Sequence, residues 1–181
     1  MAGLKGLDSL VRKLDALGGN SQKAVADGML RAVNKVQGDA KESCPVNDGQ
    51  LRNSILGEVE ERHGAIVGVV STNARHAPYV EFGTGPRGEA SPKDLPQDLA
   101  GKIQYKQDGW WIHESQIDAE TAEKYHFFRW EAPDGQVFYR SEGQPAHPFL
   151  YPALKKNEGF VRTAVAESLK NEIAKLTGGS A

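Results

Sequence analysis

SILGEVEERHGAIVGVVS, residues 54–71, is where the architecture first becomes readable. Ser54 to Glu60 and Ala65 to Ser71 are rich in Ile and Val and flank Arg62-His63-Gly64. Two β-branched runs around a short Gly-containing break make an antiparallel hairpin. On both sides the period lengthens to that of a helix. Upstream, Val25, Met29, Val33, Val36 and Ala40 form one apolar stripe, predicting a helix from an Asn20-Ser21 N-cap to about Ser43. Pro45 stops it, because proline disfavours helix at the residue before it. Further upstream, Leu4, Leu7, Leu10, Val11, Leu14 and Leu17 repeat at helical spacing until Gly18-Gly19. Downstream, Phe160, Val161, Ala164, Val165, Leu169, Ile173 and Leu176 share one face of a last helix, with Pro152 in its first turn and Thr177-Gly178-Gly179 after its end. Helices, then strands, then a helix predict an α+β fold. It consists of N-terminal helices, an antiparallel β-sheet with an inserted hairpin, and a long C-terminal amphipathic helix. At 181 residues the chain reads as a single domain, 1–181, with residues 86–143 as a loop and hairpin insertion.

Within the insertion, GPRGEASPKDLPQDLAG has no periodicity and is expected to be a loop. Asp118 to Lys124 suits a short helical turn. Tyr125–Glu131 and Gln136–Arg140, joined through Ala132-Pro133-Asp134-Gly135, read as a second hairpin. Tyr105, Trp110, Trp111, Phe127, Phe128, Trp130, Phe138 and Tyr139 are concentrated here. They are read first as a local core and second as a protein-binding patch. Stacking on single-stranded nucleic acid would need interleaved Lys and Arg, whereas Asp108, Glu114, Glu131 and Asp134 are the neighbours.

Net charge is −2, and no basic stripe appears. Residues 53–151 nevertheless hold nine Lys/Arg against fifteen Asp/Glu, between mildly basic ends. No run of about 18 apolar residues exists, so no membrane span is expected. MAGLKGLDSLVRKL lacks a signal-peptide pattern. The one cysteine, Cys44, permits no internal disulfide and reads as a small buried residue.

The five histidines show neither HxH nor HxxxH spacing, and there is no HExxH, GxSxG or GxxxxGK[ST] pattern. Gly83-Thr84-Gly85 lacks the third glycine and the strand–helix setting of a dinucleotide loop. Glu81, between Val80 and Phe82, is the one carboxylate in an apolar stretch, and an ion pair with Arg52 is its expected role. A metal-dependent or acid–base hydrolase built on His76, Glu81, His126 and His147 is the competing expectation. An aromatic nucleic-acid binder is the third.

Three blocks occur in order: CPVNDGQLRNSI (44–55), HAPYVEFGTGP (76–86) and QPAHPFLYPAL (144–154). Together they resemble a phage morphogenesis family typified by the gene-ten neck protein of an HK-type lambdoid siphophage. The likeness covers residues 1–85 and 144–181. Asp48 stands where that family commonly has threonine, His76 replaces a frequent tyrosine, and the insertion is long. The resemblance implies a non-enzymatic structural protein of the head–tail connector without cofactor or metal. It implies a homo-oligomeric ring, expected to be a hexamer, which joins or completes the tail. Expected partners are the head-closure and tail-tube or tail-terminator proteins, with DNA passing through the lumen without specific binding and no membrane involved. The expected location is the virion neck, and the host cytoplasm during assembly. Arg52, Tyr79, Glu81, Phe82, Phe149 and Tyr151 are the expected interface residues, with Tyr79, Phe82 and Phe149 equally readable as core. The acidic middle of the chain is read as a candidate DNA-conduit lining.

Overall fold

A computed structural model describes residues 18–176; the helix expected over Leu4–Leu17 lies outside them. The described residues divide into two compact units, 18–73 with 149–176, and Ala74–Pro148.

The first unit contains α1 (Gly19–Ser43), α2 (Gln50–Asn53), the strands β1 (Ile55–Arg62) and β2 (Ala65–Thr72), and α7 (Leu150–Leu176). The expected Asn20-Ser21 cap is corrected. Gly18 is the N-cap, and the Ser21 hydroxyl donates back to the Gly18 carbonyl at 2.8 Å. β1 and β2 pair antiparallel from Ile55↔Thr72 to Arg62↔Ala65. The turn is only His63-Gly64, with φ of 52° and 77°. Positive φ at both central residues matches the right-handed twist of the strands, which therefore continue to Arg62.

The single stripe expected on α1 proves to be two faces. Val33 and Met29 turn to the hairpin, where glycine opens space on both strands. A Cβ at Gly57 would lie 2.5 Å from Val33 Cγ1, and one at Gly68 would lie 2.8 Å from Met29 Sδ. Ala24, Gly28 and Ala32 form a second face of small residues. A Cβ at Gly28 would fall 2.7 Å from the Val165 Cα, so α1 and α7 meet almost backbone to backbone. Arg31 Nη2 donates to the Ala164 carbonyl at 2.8 Å beside this crossing. The same close approach corrects one member of the predicted face of α7. Val161, Ala164, Val165, Leu169 and Ile173 are buried or half-buried as expected, with Ala153 and Asn157 also buried, whereas the bulkier Phe160 points outward.

Asp39 is the buried charge of this packing. Its carboxylate accepts from Asn157 Nδ2 at 2.7 Å and from Lys35 Nζ at 2.6 Å, and Lys156 Nζ stands 3.8 Å away. The Asn157 amide first, then the Lys35 ammonium, hold the Asp39 carboxyl below the usual carboxylate range. A depressed folded value means stability that is present above the unfolded value of about 3.9 and lost as pH falls through the folded one. Asp39→Asn is therefore expected to flatten the acid limb of a plot of Tm against pH below about 4. An unchanged limb would remove Asp39 from the acid response.

The second unit holds α3 (Ala77–Phe82), α4 (Gly85–Ala90), α5 (Gln97–Ala100), β3 (Trp110–His113), a 3-10 turn (Glu114–Gln116), α6 (Ala119–Lys124), β4 (Phe128–Glu131) and β5 (Val137–Ser141). The expected loop after Pro86 is corrected: α4 and α5 lie in it, and HAPYVEF is itself α3. Pro78 and Pro86 sit at first-turn positions, where the missing N–H costs nothing. α6 starts as predicted, with the Asp118 carboxylate accepting from the Thr121 N–H at 2.7 Å. The predicted hairpin forms as β4 and β5, but Trp110–His113 adds a third strand, giving the antiparallel order β3-β5-β4. One face of this sheet carries a small core in which Ala122, Val137 and Tyr139 are buried against Ile117 and Phe127.

Candidate functional site

The first of the three blocks, residues 44–55, forms the corner between α1 and β1. Cys44, Leu51 and Ile55 are buried, and Gly49 takes φ 81°. The Asp48 carboxylate accepts from the Gln50 N–H at 3.0 Å, so aspartate supplies the turn bond itself. Arg52 is exposed and lies in the first unit, whereas Glu81 is buried and lies in the second.

The second block and the start of the third, Gln144–Pro148, meet inside the second unit, as the stem that flanks residues 86–143. A short helix leaves its last carbonyls without intrahelical partners. For α3 these are supplied from elsewhere in the unit. Gln144 Nε2 donates to the Tyr79 carbonyl at 2.8 Å, the His147 N–H to Val80 at 2.8 Å, and the Tyr105 hydroxyl to Phe82 at 3.0 Å. The Thr84 N–H donates to the Gln144 carbonyl at 3.0 Å, and the Gln144 N–H to Thr84 Oγ1 at 3.1 Å. The Ala146 N–H adds a bond to Ser91 Oγ at 3.0 Å. The crossing is glycine-lined: a Cβ at Gly83 would lie 2.6 Å from the Gly88 Cα, and one at Gly85 2.5 Å from the Glu142 carbonyl. Lys93 then closes the loop after α4, donating to the carbonyls of Gly88 and Ser91 with its ammonium 5.1 Å from the Tyr105 ring centre. Burial pushes the Lys93 ammonium below the usual lysine range and the Tyr105 hydroxyl above its own.

These contacts are backbone joinery. Removing one neutral bond of this kind costs about 1 kcal/mol. Tyr105→Phe is expected to lower the stability of the second unit by about that amount without changing its fold, measured by urea unfolding. Of the six expected interface residues, Arg52 and Tyr79 are exposed, Phe82 and Tyr151 half-buried, and Glu81 and Phe149 buried. Phe149 is among the largest fully buried side chains, which suits a core role.

Of the four residues in the competing enzymatic reading, Glu81 is buried and the three histidines are exposed. His76 caps α3 from an exposed position, His126 is exposed at φ 54°, and His147 is exposed. Among the described residues no three His, Cys, Asp or Glu side chains are grouped to hold a metal ion. No described helix is long and apolar enough to cross a membrane.

The aromatic insertion splits in two. Phe127 and Tyr139 belong to the small core, while Trp111, Phe128 and Trp130 lie outside it, 45%, 65% and 45% exposed. The outer rings touch one another. Trp111 lies 6.2 Å from Phe128 and 5.9 Å from Trp130, and Trp130 lies 5.8 Å from Phe138. The Arg140 guanidinium sits 5.6 Å from the Trp111 ring centre. The alternation of Val137, Phe138, Tyr139, Arg140 and Ser141 carries this division, and it was the available signal for it.

Residues 8–83 match one family model, described as "Bacteriophage HK97-gp10, putative tail-component". The match takes in α1, the first block, the hairpin and α3, and stops at Gly83. No curated protein and no solved structure matches the chain. The family resemblance read from the three blocks is thus upheld over residues 8–83, and it supports a structural phage protein.

Proposed function

We propose, taking residues 8–83 as an HK97-gp10-like phage tail-component segment, that this chain is a non-enzymatic ring protein of the neck, where it completes the tail or joins it to the head. The family match is the observation that carries the reading. The geometry is consistent with it. The blocks that resemble the family form a corner and a stem whose polar groups bond to their own chain, leaving binding to surfaces rather than to a cleft. Arg52, Tyr79, Phe82 and Tyr151 are then the docking side chains of these segments, and Glu81 and Phe149 shape them from within. Tyrosine and arginine are common anchors at such contacts. A ring arises when unlike patches meet under a rotation that closes. Head-closure and tail-tube or tail-terminator proteins are the proposed partners, with DNA passing through without specific binding.

Deleting the gene from its phage tests this. Filled heads and separate or unfinished tails are expected by electron microscopy, with infectivity restored by the gene supplied in trans. Joined, infectious virions from the deletion would overturn the reading.

A further inference from the structure

We infer that the outward face of the β3-β5-β4 sheet docks on the outward face of the β1–β2 hairpin of a second copy of this chain. This rests on the ring reading above and names the contact that builds the ring.

The register fixes both faces. Trp111 and Phe128 stand opposite Arg140, and His113 and Trp130 stand opposite Phe138. These six side chains therefore share the face turned away from the small core. It is aromatic, carries an arginine and a histidine, and has no carboxylate. On the hairpin, Gly57 and Gly68 turn toward α1, so the alternate positions face away. Those positions hold Leu56, 59% exposed, with Val67, Val69, Glu58, Glu60 and, at the turn end, Arg62, which pairs with Glu60. This face is aliphatic and carries two carboxylates against one guanidinium.

The two surfaces match in kind and in charge. Both are sheet faces, which pack well at a spacing of about 10 Å. Aromatic rings on one side meet aliphatic side chains on the other. Arg140, its guanidinium 5.6 Å from the Trp111 ring centre, is matched with a surface that carries Glu58, while Glu60 there pairs with Arg62. A guanidinium beside an indole keeps donors for a carboxylate. Single-stranded DNA is less well suited to the aromatic face. A stacking platform for nucleic acid tracks phosphates with several cations, and this face has one guanidinium. The exposed residues Glu114 and Glu131 also lie at the ends of its edge strands. Because the two patches differ, each copy that uses one keeps the other open, so the contact propagates until it closes.

The test uses the full chain in sedimentation velocity and native mass spectrometry over a wide concentration range. Wild type is expected to assemble. Trp111→Ala with Trp130→Ala, and separately Leu56→Glu, should each weaken assembly at least tenfold, with circular dichroism unchanged. Arg140→Glu should weaken it, and adding Glu58→Arg should restore it. Leu56→Cys protein mixed with Trp130→Cys protein should form a mixed disulfide, since the native Cys44 is buried. Assemblies unaffected by every folded variant would overturn this contact while leaving the ring. A chain that stays monomeric at millimolar concentration, or one whose aromatic face instead binds an oligonucleotide in a salt-sensitive way, would also overturn it. The deletion phage reports separately on the neck reading.

Discussion

Leucine at Gly28 is expected to cost the first unit more than about 3 kcal/mol, beyond the usual range for overpacking. The reason is what the side chain would meet. A Cβ at Gly28 already falls 2.7 Å from the Val165 Cα and 2.8 Å from the Ala164 carbonyl oxygen, and both are backbone atoms that cannot rotate aside. α1 and α7 would have to separate, taking the Arg31–Ala164 and Asn157–Asp39 bonds with them. Alanine makes the sharper case, because intrinsic propensity favours it over glycine in a helix by about 1 kcal/mol. Gly28→Ala should nevertheless destabilise. Gly38 and Gly159 lie in the same two helices, and a Cβ at either meets nothing within 4 Å. There alanine should stabilise by about 0.5–1 kcal/mol. Thermal and urea unfolding of the three alanine variants decide the matter by sign alone. A stabilising Gly28→Ala would mean that the helices do not approach as closely as described.

That contrast also shows what the sequence could and could not yield. The long helices and the first hairpin were legible, because Val33, Val36 and Ala40 repeat at helical spacing and the Ile/Val runs flank a tight turn. The partner face of α1 was not. Ala24, Gly28 and Ala32 carry little hydrophobic signal, and a small-residue crossing is visible only once two backbones are in place. Phe160 reads as inward-facing for the converse reason: its hydrophobicity fits the stripe, but its volume does not fit the crossing. In the second unit, α4 and α5 read as loop because they are only six and four residues long, too short for periodicity to register. β3 was missed because Trp110–His113 has only four residues and no turn signal linking it to a neighbouring strand. Of the candidate site, the sequence marked the right segments. It could not show that HAPYVEFGTGP and QPAHPF bond to each other, since that pairing spans some 60 residues.

The same pairing sets the second large effect, at Gly143. This residue has φ 89°, a region that side-chain-bearing residues rarely occupy, and a Cβ there would overlap the Thr84 carbonyl and lie 2.9 Å from the Gly85 nitrogen. Gly143→Ala is therefore expected to destabilise the second unit by about 3 kcal/mol or more, combining backbone strain with a clash that neither strand of the stem can relieve. Gly135 separates the two contributions. Its φ is 83°, yet a Cβ there meets nothing within 4 Å, so Gly135→Ala should show the strain alone, about 1–2 kcal/mol. Hydrogen exchange locates the damage. In Gly143→Ala the amides of Thr84 and Gln144, bonded across the stem, should lose protection first, and those of the β1–β2 hairpin should keep theirs. If the stem is the hinge on which the insertion is presented, this variant should also lose the ability to assemble while its hairpin stays intact. Equal loss of protection in both units would instead mean that they unfold as one, and that the stem has no separate stability to lose.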